Sequence, residues 1–188
     1  MSTRFRIARV GLTKSVGNMP ISSNEQDENW MRMAISLASR GRGRVEPNPM
    51  VGCVLVQDDR LVGEGWHRQF GGDHAEIDAL NDCKEPTQGA TAYVTLEPCC
   101  HQGKTPPCTD ALIQAGVRRV LIAQSDPFEK VAGRGIAALQ QAGIETQTGL
   151  LEEEASYLTA PYRYSIRHGL PWVIADPVFA CAVGCSAD

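Results

Sequence analysis

The chain has 188 residues, a formal net charge of −4, 43% hydrophobic residues and 21% charged residues. This length and composition are typical of one soluble globular domain with a buried core. The acidic balance offers no basic surface for nucleic acid, and no apolar run approaches the roughly 18 residues that cross a membrane, so neither partner is expected. Seven cysteines without a secretory signal indicate free thiols in a reducing, cytoplasmic setting.

The first 24 residues differ in composition from the rest of the chain. They contain four basic residues and no acidic residue, since the first acid is Glu25. Two interpretations stay open: an organelle-targeting peptide, and a disordered or mis-started extension. Because the segment has too few apolar residues to form a core of its own, we predict a disordered N-terminal extension over residues 1–24.

Apolar residues at helical spacing predict a first helix that begins at Ser23 or Asn24 and ends near Gly41. Its apolar face is formed by Trp30, Met33, Ala34, Leu37 and Ala38. Prolines on both sides of Asn48 then favour turn or extended backbone.

A β-hairpin is predicted next, with strands at residues 51–57 and 61–70 around an Asp58-Asp59 turn. A helix from His74 to Cys83 follows. Further strands are predicted at residues 90–96, 117–123 and 144–148. Further helices are predicted at residues 109–116, 136–142 and 150–167. Pro161 is expected to bend or break the last of these helices.

Strands and helices alternate after the hairpin, and the strands are apolar along their length. Such strands indicate a sheet that is buried on both faces. We therefore predict an α/β fold, a three-layer α/β/α sandwich around a mixed sheet of about five strands. The domain is expected to span residues 25–170.

The residues with the clearest chemical meaning are His74 and Glu76 in one predicted helix, and Cys99 and Cys108 around the start of another. One imidazole and two thiolates hold a zinc ion and leave its fourth position open, as catalytic zinc sites do. Glu76 is placed to transfer protons rather than to bind the metal. The H-x-E…P-C pattern is the signature of the zinc-dependent deaminases.

Other interpretations of these residues stay open. Cys100 or His101 would supply a fourth ligand and close a structural zinc site. The joint pattern favours the catalytic zinc, because His and Glu share one helix start and Pro-Cys directly follows a strand. Glu97 is either an acceptor behind the zinc ligands or a structural carboxylate.

Four segments of the chain resemble one known family. They are residues 46–53 (EPNPMVGC), 72–80 (GDHAEIDAL), 94–108 (VTLEPCCHQGKTPPC) and 126–135, with DP and VAGRG at its two ends. Over residues 27–175, the chain is similar to the deaminase domain of the riboflavin biosynthesis protein, in the cytidine deaminase-like superfamily. The long loop between Cys99 and Cys108 is specific, because cytidine and tRNA adenosine deaminases have a short Cys-x-x-Cys pattern.

The resemblance implies hydrolytic deamination of 2,5-diamino-6-ribosylamino-4(3H)-pyrimidinone 5′-phosphate to 5-amino-6-ribosylamino-pyrimidinedione 5′-phosphate. It assigns zinc to His74, Cys99 and Cys108, and proton transfer to Glu76. The substrate contacts that it implies are Asn48, His67, Lys104, Thr105 and Asp126. By the same analogy we expect a homo-oligomer that binds a small pyrimidine ribose phosphate. The choice between a ribosylamino and a ribitylamino substrate stays open.

The chain departs from the family pattern in three places. Phe128 stands where family members often have Asn, and Asp78 stands where His or Asn is common. Residues 170–175 (LPWVIA) resemble the entry to the family's second domain, an NADPH-dependent reductase, whereas residues 176–188 lack the motifs that would follow. We therefore expect residues 171–188 to be the remnant of a linker to a missing reductase domain, and the chain to have the deaminase activity alone.

Two competing functions come from other classes. A tRNA or nucleoside deaminase would share the zinc ligands, although the acidic balance argues against a nucleic-acid substrate. A zinc-bearing module without turnover is the second alternative. Glu76→Gln distinguishes it from an enzyme, since that change should abolish activity while zinc stays bound.

Overall fold

The computed structural model describes residues 23–100, 106–128 and 132–172. The strands are β1 (Gly52–Gln57), β2 (Arg60–Trp66), β3 (Thr91–Val94), β4 (Arg119–Ile122) and β5 (Glu145–Thr148). The helices are α1 (Ser23–Ser39), α2 (Ala75–Asp82), α3 (Cys108–Gln114), α4 (Arg134–Gln141) and α5 (Glu152–His168). The predicted segments 1–24 and 171–188 lie outside these ranges, apart from two residues at the inner end of each. Within the described ranges, no helix is long and apolar enough to cross a membrane.

The five strands form one mixed sheet in the order β2-β1-β3-β4-β5. β1 is antiparallel to both β2 and β3, whereas β3, β4 and β5 run parallel to one another. Asp58 and Asp59 both have positive φ, 49° and 58°, which matches the right-handed twist of a two-residue hairpin turn. The predicted hairpin and the predicted mixed five-stranded sheet are therefore confirmed.

Each face of the sheet packs against helices and forms its own core. Cys53 and Leu55 of β1 point into a core with α2, α3 and α4. Val54 and Val56 alternate to the other face and pack with α1 and α5. This confirms the three-layer sandwich. On α1, Met31 is buried, whereas the expected Trp30 and Met33 lie only half-buried at the margin of the core.

Two glycines of β2 allow α2 to pack directly against the backbone of the sheet. A Cβ at Gly65 would overlap backbone atoms of Ala75 and Ala79, and a Cβ at Gly63 would overlap the Ala79 carbonyl oxygen and the Cys83 sulfur. The absence of these side chains sets the distance between α2 and β2. Since His74 immediately precedes α2, this contact also positions the first part of the site.

The structure corrects three of the predicted elements. Residues 67–70 leave the sheet, because β1 begins only at Gly52 and the N–H of Phe70 instead bonds to the Arg44 carbonyl. β5 is an edge strand with mostly exposed polar side chains, so burial on both faces does not extend to it. α5 continues through Pro161. The proline removes one hydrogen-bond donor, but buried Ala155 and Thr159 keep the helix docked on the sheet.

Candidate metal centre and active site

Three segments bring His74, Cys99 and Cys108 together at one end of the sheet. His74 is the residue before α2, Cys99 follows β3, and Cys108 is the first residue of α3. His74 Nδ1 lies 3.5 Å from Cys99 Sγ and 3.3 Å from Cys108 Sγ. The three ligating atoms all lie within 4.8 Å of one another, a spacing that one metal ion can bridge. Among the described residues, Cys100 does not join this group, and His101 lies outside them.

The contacts within this group leave one of the two sulfurs ionised. Hydrogen bonds from Cys108 and His74 lower the pKa of Cys99 to about 4, which makes it a thiolate at neutral pH. The same contact with Cys99 raises the pKa of His74 to about 9. The hydrogen bond to Cys99 and burial raise the pKa of Cys108, so one proton is held between the two sulfurs. One imidazole and two sulfurs within reach of one ion are the ligand types that zinc takes, so the set fits zinc, which would displace the protons of His74 and Cys108 on binding.

Glu76 lies in the first turn of α2 and is 3% exposed. Burial raises the pKa of its carboxyl group, although the neighbouring His74 charge opposes that shift. A carboxyl group with a raised pKa exchanges protons at neutral pH more readily than an exposed one. Glu76 and His74 line the same cavity, so the proton-transfer group faces the space where a substrate would bind.

The cavity has a volume of about 250 Å³ and is lined partly by residues that the sequence singled out. These residues are Asn48, His67, His74, Glu76, Cys99 and Asp126. Cys108 lies behind Cys99, which accepts its backbone N–H at 3.3 Å. Lys104 and Thr105, also predicted to contact the substrate, lie outside the described residues. The wall also includes Leu96 and Tyr162, to which sequence reasoning gave no role in the site.

His67 and Asn48, which both line the cavity, are joined by a hydrogen bond. His67 is 3% exposed, its Nδ1 lies 2.8 Å from the Asp73 carbonyl oxygen, and its Nε2 lies 3.1 Å from Asn48 Nδ2. Burial lowers the pKa of His67, so the ring is neutral. The network then assigns the proton to Nδ1, and Nε2 accepts a hydrogen bond from the Asn48 amide. Both ring nitrogens are thus occupied, and His67 fixes the orientation of the Asn48 side chain.

Glu97 is a structural carboxylate, one of the two roles that the sequence left open. It is buried, and its oxygens accept four backbone N–H groups from the loop after β4 and the start of α4. These bonds hold Asp126 in place and cap α4. Gly135 permits this arrangement, since a Cβ there would overlap the Pro98 carbonyl oxygen next to Cys99.

Asp78 has a structural role as well. Its carboxylate accepts the backbone N–H of Trp66 at 3.1 Å and pairs with Arg68 at 2.9 Å. The Arg68 guanidinium lies over the Trp66 ring, 3.7 Å from its centre. Asp78 therefore ties α2 to the end of β2 and does not line the cavity.

Comparisons with known proteins agree with this geometry. Residues 24–124 match the family model of the cytidine and deoxycytidylate deaminase zinc-binding region. The chain is 47% identical over 146 residues to the diaminohydroxyphosphoribosylamino-pyrimidine deaminase of Buchnera aphidicola, covering 78% of this chain and 99% of that protein. It is 53% identical over 148 residues to the Escherichia coli riboflavin biosynthesis protein RibD, covering 79% of this chain and 40% of that one.

Among solved structures, Acinetobacter baumannii RibD has a TM-score of 0.77 and 49% identity, over 80% of this chain and 43% of that one. The chain thus spans less than half the length of the RibD relatives that it matches, and nearly all of the Buchnera protein.

Proposed function

The chain belongs to the zinc-binding deaminase family and, within it, to the diaminohydroxyphosphoribosylamino-pyrimidine deaminases, and we propose on that premise which reaction it performs. It hydrolyses the 2-amino group of 2,5-diamino-6-ribosylamino-4(3H)-pyrimidinone 5′-phosphate. The products are ammonia and 5-amino-6-ribosylamino-pyrimidinedione 5′-phosphate. The observation that carries this proposal is buried Glu76 beside the His74, Cys99 and Cys108 group, on the wall of one cavity.

Zinc is the metal that this ligand set suits. His74, Cys99 and Cys108 would hold it through one ring nitrogen and two sulfurs, the ligand types that zinc prefers. Zinc bound there would supply Lewis-acid activation of a water molecule.

Glu76 performs the proton transfers of the reaction. The carboxylate accepts a proton from the attacking water as the water oxygen bonds to the carbon that bears the 2-amino group, and it delivers this proton to the adjacent ring nitrogen. It then transfers the remaining hydroxyl proton to the departing amine, so that the C–N bond breaks, ammonia leaves and the carbonyl forms. Burial suits it to both steps, because the raised pKa lets the acid and the base forms interchange at neutral pH. The Glu76 carboxyl group is only 3% exposed, so bulk water is excluded from it. The transferred proton therefore stays between Glu76 and the reacting groups.

The remaining polar residues of the cavity bind and orient the substrate. The Asn48 amide, fixed by His67, suits a ring edge that offers both donors and acceptors. Asp126, which also lines the cavity, suits amine or hydroxyl donors. Lys104 and Thr105 are the expected partners of the phosphate. We assign these activities to residues 25–170, in a cytoplasmic homo-oligomer, which light scattering on the purified protein would test.

Ammonia release by the purified protein tests the proposal. The ribosylamino and ribitylamino pyrimidine phosphates and a tRNA anticodon stem-loop serve as parallel substrates, with zinc measured on the same samples. We expect release from a pyrimidine phosphate and none from the RNA; release from RNA alone would refute the proposal. Glu76→Gln should retain zinc and lose at least about a hundredfold in kcat.

A further inference from the structure

Tyr162 is a polar residue of the cavity wall that neither the zinc chemistry nor the predicted substrate contacts include. It lies on α5, and its hydroxyl is 3.1 Å from Asp126 Oδ1. The backbone N–H of Phe128 donates to the same oxygen at 2.8 Å. Tyr162, Asp126 and Phe128 line the cavity together with Glu76, so they share the space where the reacting ring binds.

The hydroxyl of Tyr162 has a defined direction. Burial and the neighbouring Asp126 carboxylate raise the pKa of Tyr162, so the hydroxyl stays protonated and donates a hydrogen bond to Asp126. A phenol that donates its only hydrogen still has acceptor capacity on its oxygen. In this geometry, the Tyr162 oxygen presents an acceptor to an incoming N–H or O–H group.

α5 has further polar contacts with the segment after β4 that do not involve this hydroxyl. One turn earlier on the same helix, buried Thr159 bonds to the side chain of Gln124 at 2.8 Å, and Gln124 also donates to the Ala155 carbonyl. Both Thr159 and Gln124 are almost fully buried, whereas Tyr162 is half-buried and faces the cavity. This buried pair holds α5 in place when the Tyr162 hydroxyl is removed, so the role of the hydroxyl in the cavity can be tested separately.

Tyr162 also lines two neighbouring cavities. A second cavity of about 200 Å³ shares Asn48, Pro49 and Tyr162 with the first. A ligand whose reacting ring lies at Glu76 and whose substituents extend outward along this wall passes Tyr162. The Phe128 side chain, on the same wall, has no atom that forms a hydrogen bond.

We propose that Tyr162 is a substrate-positioning residue of this deaminase: it orients Asp126 and accepts a hydrogen bond from an amine or hydroxyl group of the pyrimidine ribose phosphate. The inference rests on the proposed function, because the pyrimidine ribose phosphate is its ligand.

Tyr162→Phe tests this role, since it removes one oxygen and keeps the ring. We expect KM for the pyrimidine phosphate to rise roughly 5- to 20-fold, the usual effect of one lost hydrogen bond, with kcat changed by less than about twofold. Zinc content and the melting temperature should match the unchanged protein. Tyr164→Phe is the matched control, because Tyr164 packs on His168 and Trp172 and does not line the cavity.

A second variant gives a readout that a merely structural role would not move. Phe128→Asn in the Tyr162→Phe background places an amide on the same wall and should recover at least half of the lost affinity. An unchanged KM in Tyr162→Phe, or a raised KM that the asparagine fails to lower, would overturn the role of Tyr162 while the deaminase function stands. Absence of turnover by the unchanged protein would overturn both.

Discussion

Glu97→Gln should destabilise the protein, although it preserves the size and shape of the side chain. In the structure, Oε2 accepts the N–H groups of Asp126 and Gly133 at 3.2 and 2.9 Å, and Oε1 accepts those of Gly135 and Ile136 at 3.0 and 3.4 Å. A glutamine has one acceptor oxygen and one NH₂ group. Whichever way the amide turns, its NH₂ group faces two N–H donors, which then lose their acceptor.

The size of the effect follows from these two lost bonds. A buried donor without an acceptor costs about 1–3 kcal/mol. Since one donor of each pair is only partly buried, we expect a loss of about 2–4 kcal/mol in the free energy of unfolding. Urea unfolding of the zinc-loaded protein measures it. The KM for the pyrimidine phosphate should rise as well, because Glu97 holds the backbone of Asp126 on the cavity wall.

Glu153→Gln is the control for the loss of one negative charge. Glu153 is exposed in the first turn of α5, where its charge contributes less than about 1 kcal/mol. If Glu97→Gln were no more destabilising than Glu153→Gln, Glu97 would not organise this loop, and our account of how Asp126 and α4 are held would be refuted.

Three further predictions concern the same site. Gly135→Ala should destabilise the protein by about 1–3 kcal/mol and weaken zinc binding, because the added Cβ overlaps the Pro98 carbonyl beside Cys99. Chelator competition measures the zinc affinity, and an unchanged affinity would contradict this prediction. Asn48→Ala and His67→Ala should each raise the KM for the pyrimidine phosphate. The double variant should raise KM by less than the product of the two single increases, because His67 acts through Asn48. Independent effects would argue that the two residues make separate contacts. Removal of zinc by a chelator should lower the melting temperature, and added zinc should restore it, since the three ligands join α2, α3 and the loop after β3; an unchanged melting temperature would count against a metal held there.

Much of the fold followed from local sequence patterns. Alternation between apolar strands and amphipathic helices predicted the three-layer sandwich, and Asp58-Asp59 predicted the hairpin turn, because these patterns reflect backbone periodicity and turn geometry. Pro161 does not break α5, one of the two outcomes that the sequence left open, because burial of Ala155 and Thr159 holds the helix in place. The prediction that β5 is buried on both faces was wrong, because β5 lies at the edge of the sheet and the strand order sets that position.

The sequence by itself determined the chemistry of the site: the types and order of His74, Glu76, Cys99 and Cys108 indicate a zinc deaminase before any geometry is known. Only the tertiary structure decided what the surrounding residues do. Glu97 caps a helix that begins far along the chain, and Tyr162 reaches Asp126 from α5. Neither contact leaves a periodic or short-range signal, because each joins side chains that the packing of separate elements brings together.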